Sequence, residues 1–249
     1  AYIEFYKGSR TWKIGNQLVT WGYMEGIEVP ADRVNARDYS YNSTEFEDSK
    51  MASTGILLKQ EIGDFSGIDL MFIPSGKTNV SPDESKYFFN LSEERPDCTT
   101  GNSKTAVRFF TSLDNLDLAL SYVEGTDPRA DVSVSATLDA QKSYHREKSP
   151  AIDLQYNFGG FFGKFAYAYH QTKDQDGDDP DIKNSWDHLA LGIETSFGGS
   201  TLNLYAGQIH VKNWQENNTL EAFANQLMDQ STEKKRFLSG HMTSNFLQG

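Results

Sequence analysis

The sequence predicts an all-β protein, a transmembrane antiparallel β-barrel with short turns on one rim and long loops on the other. Three observations lead there. Apolar and polar residues alternate with period two along most of the 249 residues, as strands with two unlike faces require. The connections alternate between tight turns and long excursions, the layout of a barrel that crosses a membrane. No run approaches the eighteen or so apolar residues of a membrane helix, whereas a barrel strand shows lipid only every second side chain. A mean hydropathy of −0.59 fits such a strand as well as it fits a water-soluble one.

The strands are expected at 1–7, 11–21, 53–62, 67–74, 104–111, 115–123, 149–158, 161–171, 186–197, 200–211 and 233–247. In 151–158, Ile152, Leu154, Tyr156 and Phe158 share one face, with Asp153, Gln155 and Asn157 opposite. Phe165, Tyr167 and Tyr169 oppose Lys164, Ala166, Ala168 and His170; Leu189, Leu191 and Ile193 oppose His188, Ala190, Gly192 and Glu194. Leu116, Leu118, Leu120 and Tyr122 repeat the pattern. Short turns are read at 7–10, 64–67, 113–115, 159–160 and 199–200, and long outer loops at 22–52, 75–103, 124–148, 172–185 and 212–232. Residues 131–138 alternate as well, but counting them as a span would move the 159–160 turn to the wrong rim. They are placed outside the membrane, as a strand extension within 124–148. The whole of 1–249 reads as a single barrel domain. Eleven spans is an odd number, and single-chain bacterial barrels close with an even one. The residues are therefore expected to be an internal portion of a larger barrel.

The charge balance excludes some classes of function. With 35 acidic and 23 basic residues the formal net charge is −12, and no basic stripe is available to displace counterions from nucleic acid. Cys98 is the only cysteine, so neither a disulfide framework nor a Cys-rich zinc site is possible. No G-x-S-x-G, Walker or G-x-G-x-x-G motif is present, and no enzyme activity is expected. Asn-x-Ser/Thr tripeptides at Asn42, Asn90 and Asn217 are chance matches in Asn- and Ser-rich loops.

The most specific stretch is 11–40, TWKIGNQLVTWGYMEGIEVPADRVNARDYS. Its Gly15, Gln17, Trp21, Gly22, Pro30, Asp32, Asn35, Arg37 and Asp38 resemble a pattern in a family of large porin-like outer-membrane proteins of Gram-negative bacteria, mostly of undetermined cargo. There a strand ends in Gly-x-Gln and Trp-Gly, and a loop with Pro, Asp and an Asn-x-x-Asp-like run follows. Ala36 departs from it, since a proline often follows the Asn. The resemblance extends through the order of strands over most of the chain. It implies a bacterial outer-membrane location and a passive or weakly selective channel, and names no solute.

The residues themselves allow a physical reading of that stretch. Trp21 at a strand end suits a membrane–water interface, as an anchor. Glu25, Glu28, Asp32, Arg33, Arg37 and Asp38 are the candidate pore constriction, where opposed charges set a local field; the plain alternative is a surface loop of mutually paired charges. Asp174, Asp176, Asp178 and Asp181 in the acidic 173–181 loop offer hard oxygen ligands for weak calcium binding, without EF-hand spacing. His170, His188 and His210 fall on the more polar strand faces, and lumenal positions are expected. The basic cluster at 233–237 reads as a solvated strand start. No cofactor is implied. The expected partners are outer-membrane lipid, lipopolysaccharide, a small-molecule solute and other copies of the chain. The rival reading is a surface receptor or adhesin that binds through its long loops.

Overall fold

The computed structural model describes residues 1–40, 46–81, 90–97, 99–215 and 219–244. Cys98 and the Asn42 and Asn217 positions lie outside the described residues. The described chain is almost entirely antiparallel β-sheet, and no helix in it is long and apolar enough to cross a membrane.

One sheet contains eleven strands, each hydrogen-bonded to its neighbour in chain order. They are β1 (Tyr2–Lys7), β2 (Arg10–Gln17), β3 (Ser53–Ile62), β4 (Ser66–Ile73), β6 (Lys104–Leu113), β7 (Leu116–Thr126), β10 (Arg146–Asn157), β11 (Phe162–His170), β12 (Trp186–Phe197), β13 (Ser200–Val211) and β14 (Lys234–Ser244). All ten pairings are antiparallel. With alternation over eleven strands, β1 and β14 run in the same direction at the two edges.

The eleven strands match those expected from parity, with shifted ends. Strand β2 stops at Gln17 rather than Trp21, and β10 begins at Arg146. Residues 131–138 do not simply extend a wall strand. Instead β8 (Asp131–Val134) pairs with β9 (Asp139–Ser143), which pairs in parallel with β5 (Asn90–Glu93), giving a separate three-stranded sheet. The 212–232 excursion holds one helix, α1 (Thr219–Leu227), whose Ala224 packs with Val132 and Met228.

Tight turns join alternate strands at one rim. Gly8 and Gly63 take positive φ there, as does the Gly198–Gly199 pair at 54° and 80°, which suits the twist of a two-residue hairpin. Asp114 adopts the same left-handed region at 47°. Phe65, Phe158, Phe161 and Phe197 stand exposed around this rim, with Phe158 and Phe161 stacked at 4.7 Å.

Register turns period two into two unlike faces. On one face run continuous apolar rows, such as Leu118, Leu154, Phe165, Leu191, Ala206 and Leu238. Leu191 is 51% exposed and Leu238 83%. The opposite face carries Asp69, Asp153, Lys164, His170 and His188, all buried. On it Ala166, Ala190 and Gly207 form a row of small residues that continues through Asp153 to Ala119, with Ala151 and Ala168 beside it.

What covers that face is the chain itself. From Gln17 at the end of β2, the segment reaches Gly26 beside His241 of β14, where a Cβ would sit 3.0 Å from the imidazole. Nine residues span at most about 31 Å, while nine strand spacings along the sheet amount to about 43 Å. The sheet therefore curls, with the polar, small-residue face inside and segment 18–38 lying across it.

The tight inner packing yields a test. Ala190 has no exposed surface and joins Met24, Ile27, Val29, Ala166 and Tyr205 in one cluster. Ala190→Leu is expected to destabilise the fold by about 1–3 kcal/mol through overpacking, measured as a shift in the guanidinium unfolding midpoint.

Candidate functional site

Segment 18–38 owes its path to its own sequence. Gly22 takes φ 107°, and a Cβ there would lie 2.4 Å from the Val29 side chain, so the chain doubles back only because the residue is glycine. Asn35 pins the two legs: its Oδ1 accepts from the Val19 N–H at 2.8 Å, and its Nδ2 donates to the Met51 carbonyl at 2.9 Å. Trp21, Val19 and Val34 then pack against Leu57, Met71, Ile73, Ala106 and Val123 of the inner wall.

This corrects the expected role of Trp21. It is 2% exposed and lies in the interior cluster, not at a membrane–water boundary. Because β2 ends four residues earlier, Trp21 follows the segment inward. His210 is likewise misplaced by the parity reading. It pairs in register with Asp187 on the outer face, whereas His170 and His188 face inward and are buried.

The charged residues of the segment come together in two groups. In the first, the buried Arg33 guanidinium donates to Asp127 at 2.9 Å and to Glu147 at 3.1 and 3.2 Å, with Glu28 at 3.5 Å. Lys104 of β6 donates to the Arg33 carbonyl at 3.1 Å. Glu147 also accepts from Ser149 at 2.8 Å and lies 3.3 Å from His170 Nδ1; the His170 ring stacks on Trp186 at 3.8 Å. Arg129 covers the same indole at 4.3 Å. Lys183 links Asp127 at 3.4 Å to Asp131 at 3.0 Å, and His145 reaches Asp131 at 2.8 Å.

In the second group, Asp32 accepts from Arg37 at 3.3 Å and pairs with Lys50. Arg37 also donates to Ser49 Oγ at 3.0 Å, and its backbone N–H to Asn79 at 2.7 Å. The Asp38 carboxylate accepts from Ser40 N–H at 2.9 Å. Glu25 contributes its backbone N–H to the Tyr205 hydroxyl at 3.1 Å.

Burial and charge pull these groups in opposite directions. Burial alone would lower the Arg33 pKa, but Glu147, Asp127 and Glu28 outweigh it and push it up. The cation is thus fixed. Burial opposes the charge on Glu28 too, yet Arg129 and Arg33 hold it below the usual carboxylate range. At Asp32 burial prevails over Lys50 and Arg37, and the pKa is raised. Asp131 is desolvated, but Lys183 and His145 bring it below its ordinary value.

The acidic loop uses its one buried carboxylate locally. Asp174 accepts from the backbone N–H groups of Gly177 at 2.9 Å, Asp178 at 3.4 Å and Asp179 at 3.3 Å, closing a turn. Asp176, Asp178 and Asp181 do not converge on it, and no group of three or more His, Cys, Asp or Glu among the described residues is placed to hold a metal.

Sequence reading missed Asp127, Glu147, Arg129 and Lys183. The available signal was parity: Glu147, Ser149, Ala151 and Asp153 share the inward face of β10.

Polar space remains on both sides of the segment. Toward the turn rim, a cavity of about 130 Å³ is lined by Lys13, Lys59, Asp69 and Arg108. Toward the loops, a cavity of about 320 Å³ lies between Tyr39, Arg129, Tyr144 and Met228.

The sequence matches no family model and no curated protein. Among solved structures it is similar to OccAB4 of Acinetobacter baumannii, at 12% identity and a TM-score of 0.46, over 85% of this chain and 44% of that one. It is similar to a porin at 15% identity and a TM-score of 0.46, over 85% and 65%. It is also similar to the copper transporter OprC at 13% identity and a TM-score of 0.36, over 81% and 32%. The chain thus spans less than half the length of the first of these.

Two outcomes test the site. Arg33→Ala leaves Asp127 and Glu147 without their main partner and is expected to cost about 3–5 kcal/mol, read by denaturant unfolding. The depressed Asp131 pKa contributes stability that is present above the unfolded value of about 3.9 and lost as pH falls through the folded value. Asp131→Asn should therefore flatten the fall in melting temperature below about pH 4.

Proposed function

We propose that the chain forms wall of an outer-membrane β-barrel that passes small hydrophilic solutes down their gradient, with segment 18–38 as its constriction. The observation that carries this reading is the inverted distribution of polarity. A sheet in water hides its apolar face, but here the apolar rows face outward while Asp69, Asp153 and Lys164 are enclosed. Such a wall is stable where the outer face meets hydrocarbon and every strand but the edges has its backbone paired. Since β1 and β14 run the same way, antiparallel closure requires an odd number of further strands.

In this reading Glu25, Glu28, Asp32, Arg33, Arg37 and Asp38 belong to a segment tethered across the lumen. Solutes move past it between the two polar cavities, and the juxtaposed Glu28, Arg33 and Arg129 set the field they meet. One further observation favours the receptor alternative. The β5–β9–β8 sheet and α1 enclose the 320 Å³ cavity above the segment, a concave surface of the kind that binds ligands.

Purified protein in a planar bilayer under a salt gradient should give discrete conductance steps. Arg33→Ala, which unties the segment from Asp127 and Glu147, should raise the unit conductance several-fold. Well-inserted protein that stays silent would transfer the case to the receptor reading. Leu191→Arg on the outer face separates membrane from water. It should cost about 2–4 kcal/mol in lipid vesicles, against little for an exposed site in water.

A further inference from the structure

Cations on the outer face at the long-loop rim are mostly matched by acids. Lys212 pairs with Asp187, Lys234 with Glu233 at 2.9 Å, and His210 lies 3.5 Å from Asp187 and 3.4 Å from Glu233. One stretch departs from this. A groove of about 590 Å³ runs over the ends of β7, β10 and β11, with Glu124, Arg146, Lys148 and Lys173 in its lining.

Register fixes the side of the wall it occupies. Lys148 pairs with Glu124, and two residues farther along Pro150 pairs with Tyr122, then Ile152 with Leu120. All stand on the outer, apolar face, so the Lys148 Cα sits about 7 Å beyond the first apolar row. The single acid in the groove is already engaged: Glu124 accepts from the Tyr122 hydroxyl at 3.0 Å and from Arg146 at 3.5 Å. Arg146 Nη1 donates to the carbonyls of Gly101 at 2.7 Å and Ser103 at 3.1 Å. Among the described residues, neither Lys148 nor Lys173 has a carboxylate within ion-pair distance.

Two unpaired ammonium groups at the upper boundary of an apolar face, on a chain of net charge −12, select one kind of ligand. It carries concentrated negative charge at one end and hydrocarbon at the other. Lysine binds phosphate as a point charge, and basic residues at a membrane surface attract anionic head groups. We propose that this groove holds the phosphorylated head group of a membrane lipid, its acyl chains lying along the outer face of β7, β10 and β11. The proposal rests on the barrel reading, since it requires that face to meet lipid.

The test uses the full chain in neutral detergent, titrated with diphosphoryl lipid A and followed by native mass spectrometry. Wild-type protein should retain the lipid, and Lys148→Gln/Lys173→Gln should weaken retention by roughly tenfold or more while its thermal midpoint stays unchanged. Dephosphorylated lipid A should bind no better than it does to the double variant. Equal retention by both proteins, or equal binding of the dephosphorylated lipid, overturns the proposal. Displacement by millimolar inorganic phosphate, with no advantage for the lipid, overturns it in favour of a free-phosphate site. Conductance of the same preparation separates the two readings. An inserted, silent protein that binds the lipid removes the channel and leaves the site, whereas a conducting protein indifferent to the lipid removes the site alone.

Discussion

The fold depends on how closely segment 18–38 can approach the inner wall. Ala166, Ala190 and Gly207 present almost no side chain along their row beyond Asp153, and Ala151 and Ala168 extend the same low surface. Met24, Ile27 and Val29 fill that space. Larger residues there would push the segment off the wall and separate Arg33 from its acids. Conversely, without the segment the surface over Ala166 and Ala190 would be left unfilled, with the lost contacts that any void entails. Wall and segment are complementary because one is small where the other is large.

Electrostatics fixes the register of that packing. Apolar contacts tolerate sliding, but Arg33 has a planar fork of donors and meets Asp127 and Glu147 in a single arrangement. Desolvating these charges is costly, and the compensation includes the hydrogen bond that Ser149 donates to Glu147. The network also passes beyond the wall. Lys183 and Asp131 carry it to the base of the small β5–β9–β8 sheet, so loop sheet, wall and segment share one set of charges.

Much of the wall was legible in the sequence because parity is local. Ile152, Leu154 and Tyr156 declare their face from three alternating positions, and the glycines announce the hairpin after β12, though the sequence reading puts it at 199–200, one residue beyond the Gly198–Gly199 turn. What parity cannot show is where a loop goes. Trp21 looked like the end of a strand because the alternation runs past Gln17, but the packing of its indole is decided by Leu57 and Met71, distant in sequence. The partners of Arg33 lie 94 and 114 residues away, and only the register of β7 and β10 brings them beside it. Of residues 131–138 only Asp131–Val134 remain a strand, because 135–138 turn the chain back into a partner at 139–143 that is too short and polar to be recognised alone.

The contact between Glu25 and Tyr205 joins residues 180 apart. Segment 18–38 precedes in sequence every strand of the inner wall that its apolar side chains pack against. Contacts of such long sequence separation carry a large loop-closure entropy before they return any energy. Assembly of this protein is consequently expected to be slow, because the contacts that seat the interior strap are among its most distant in sequence.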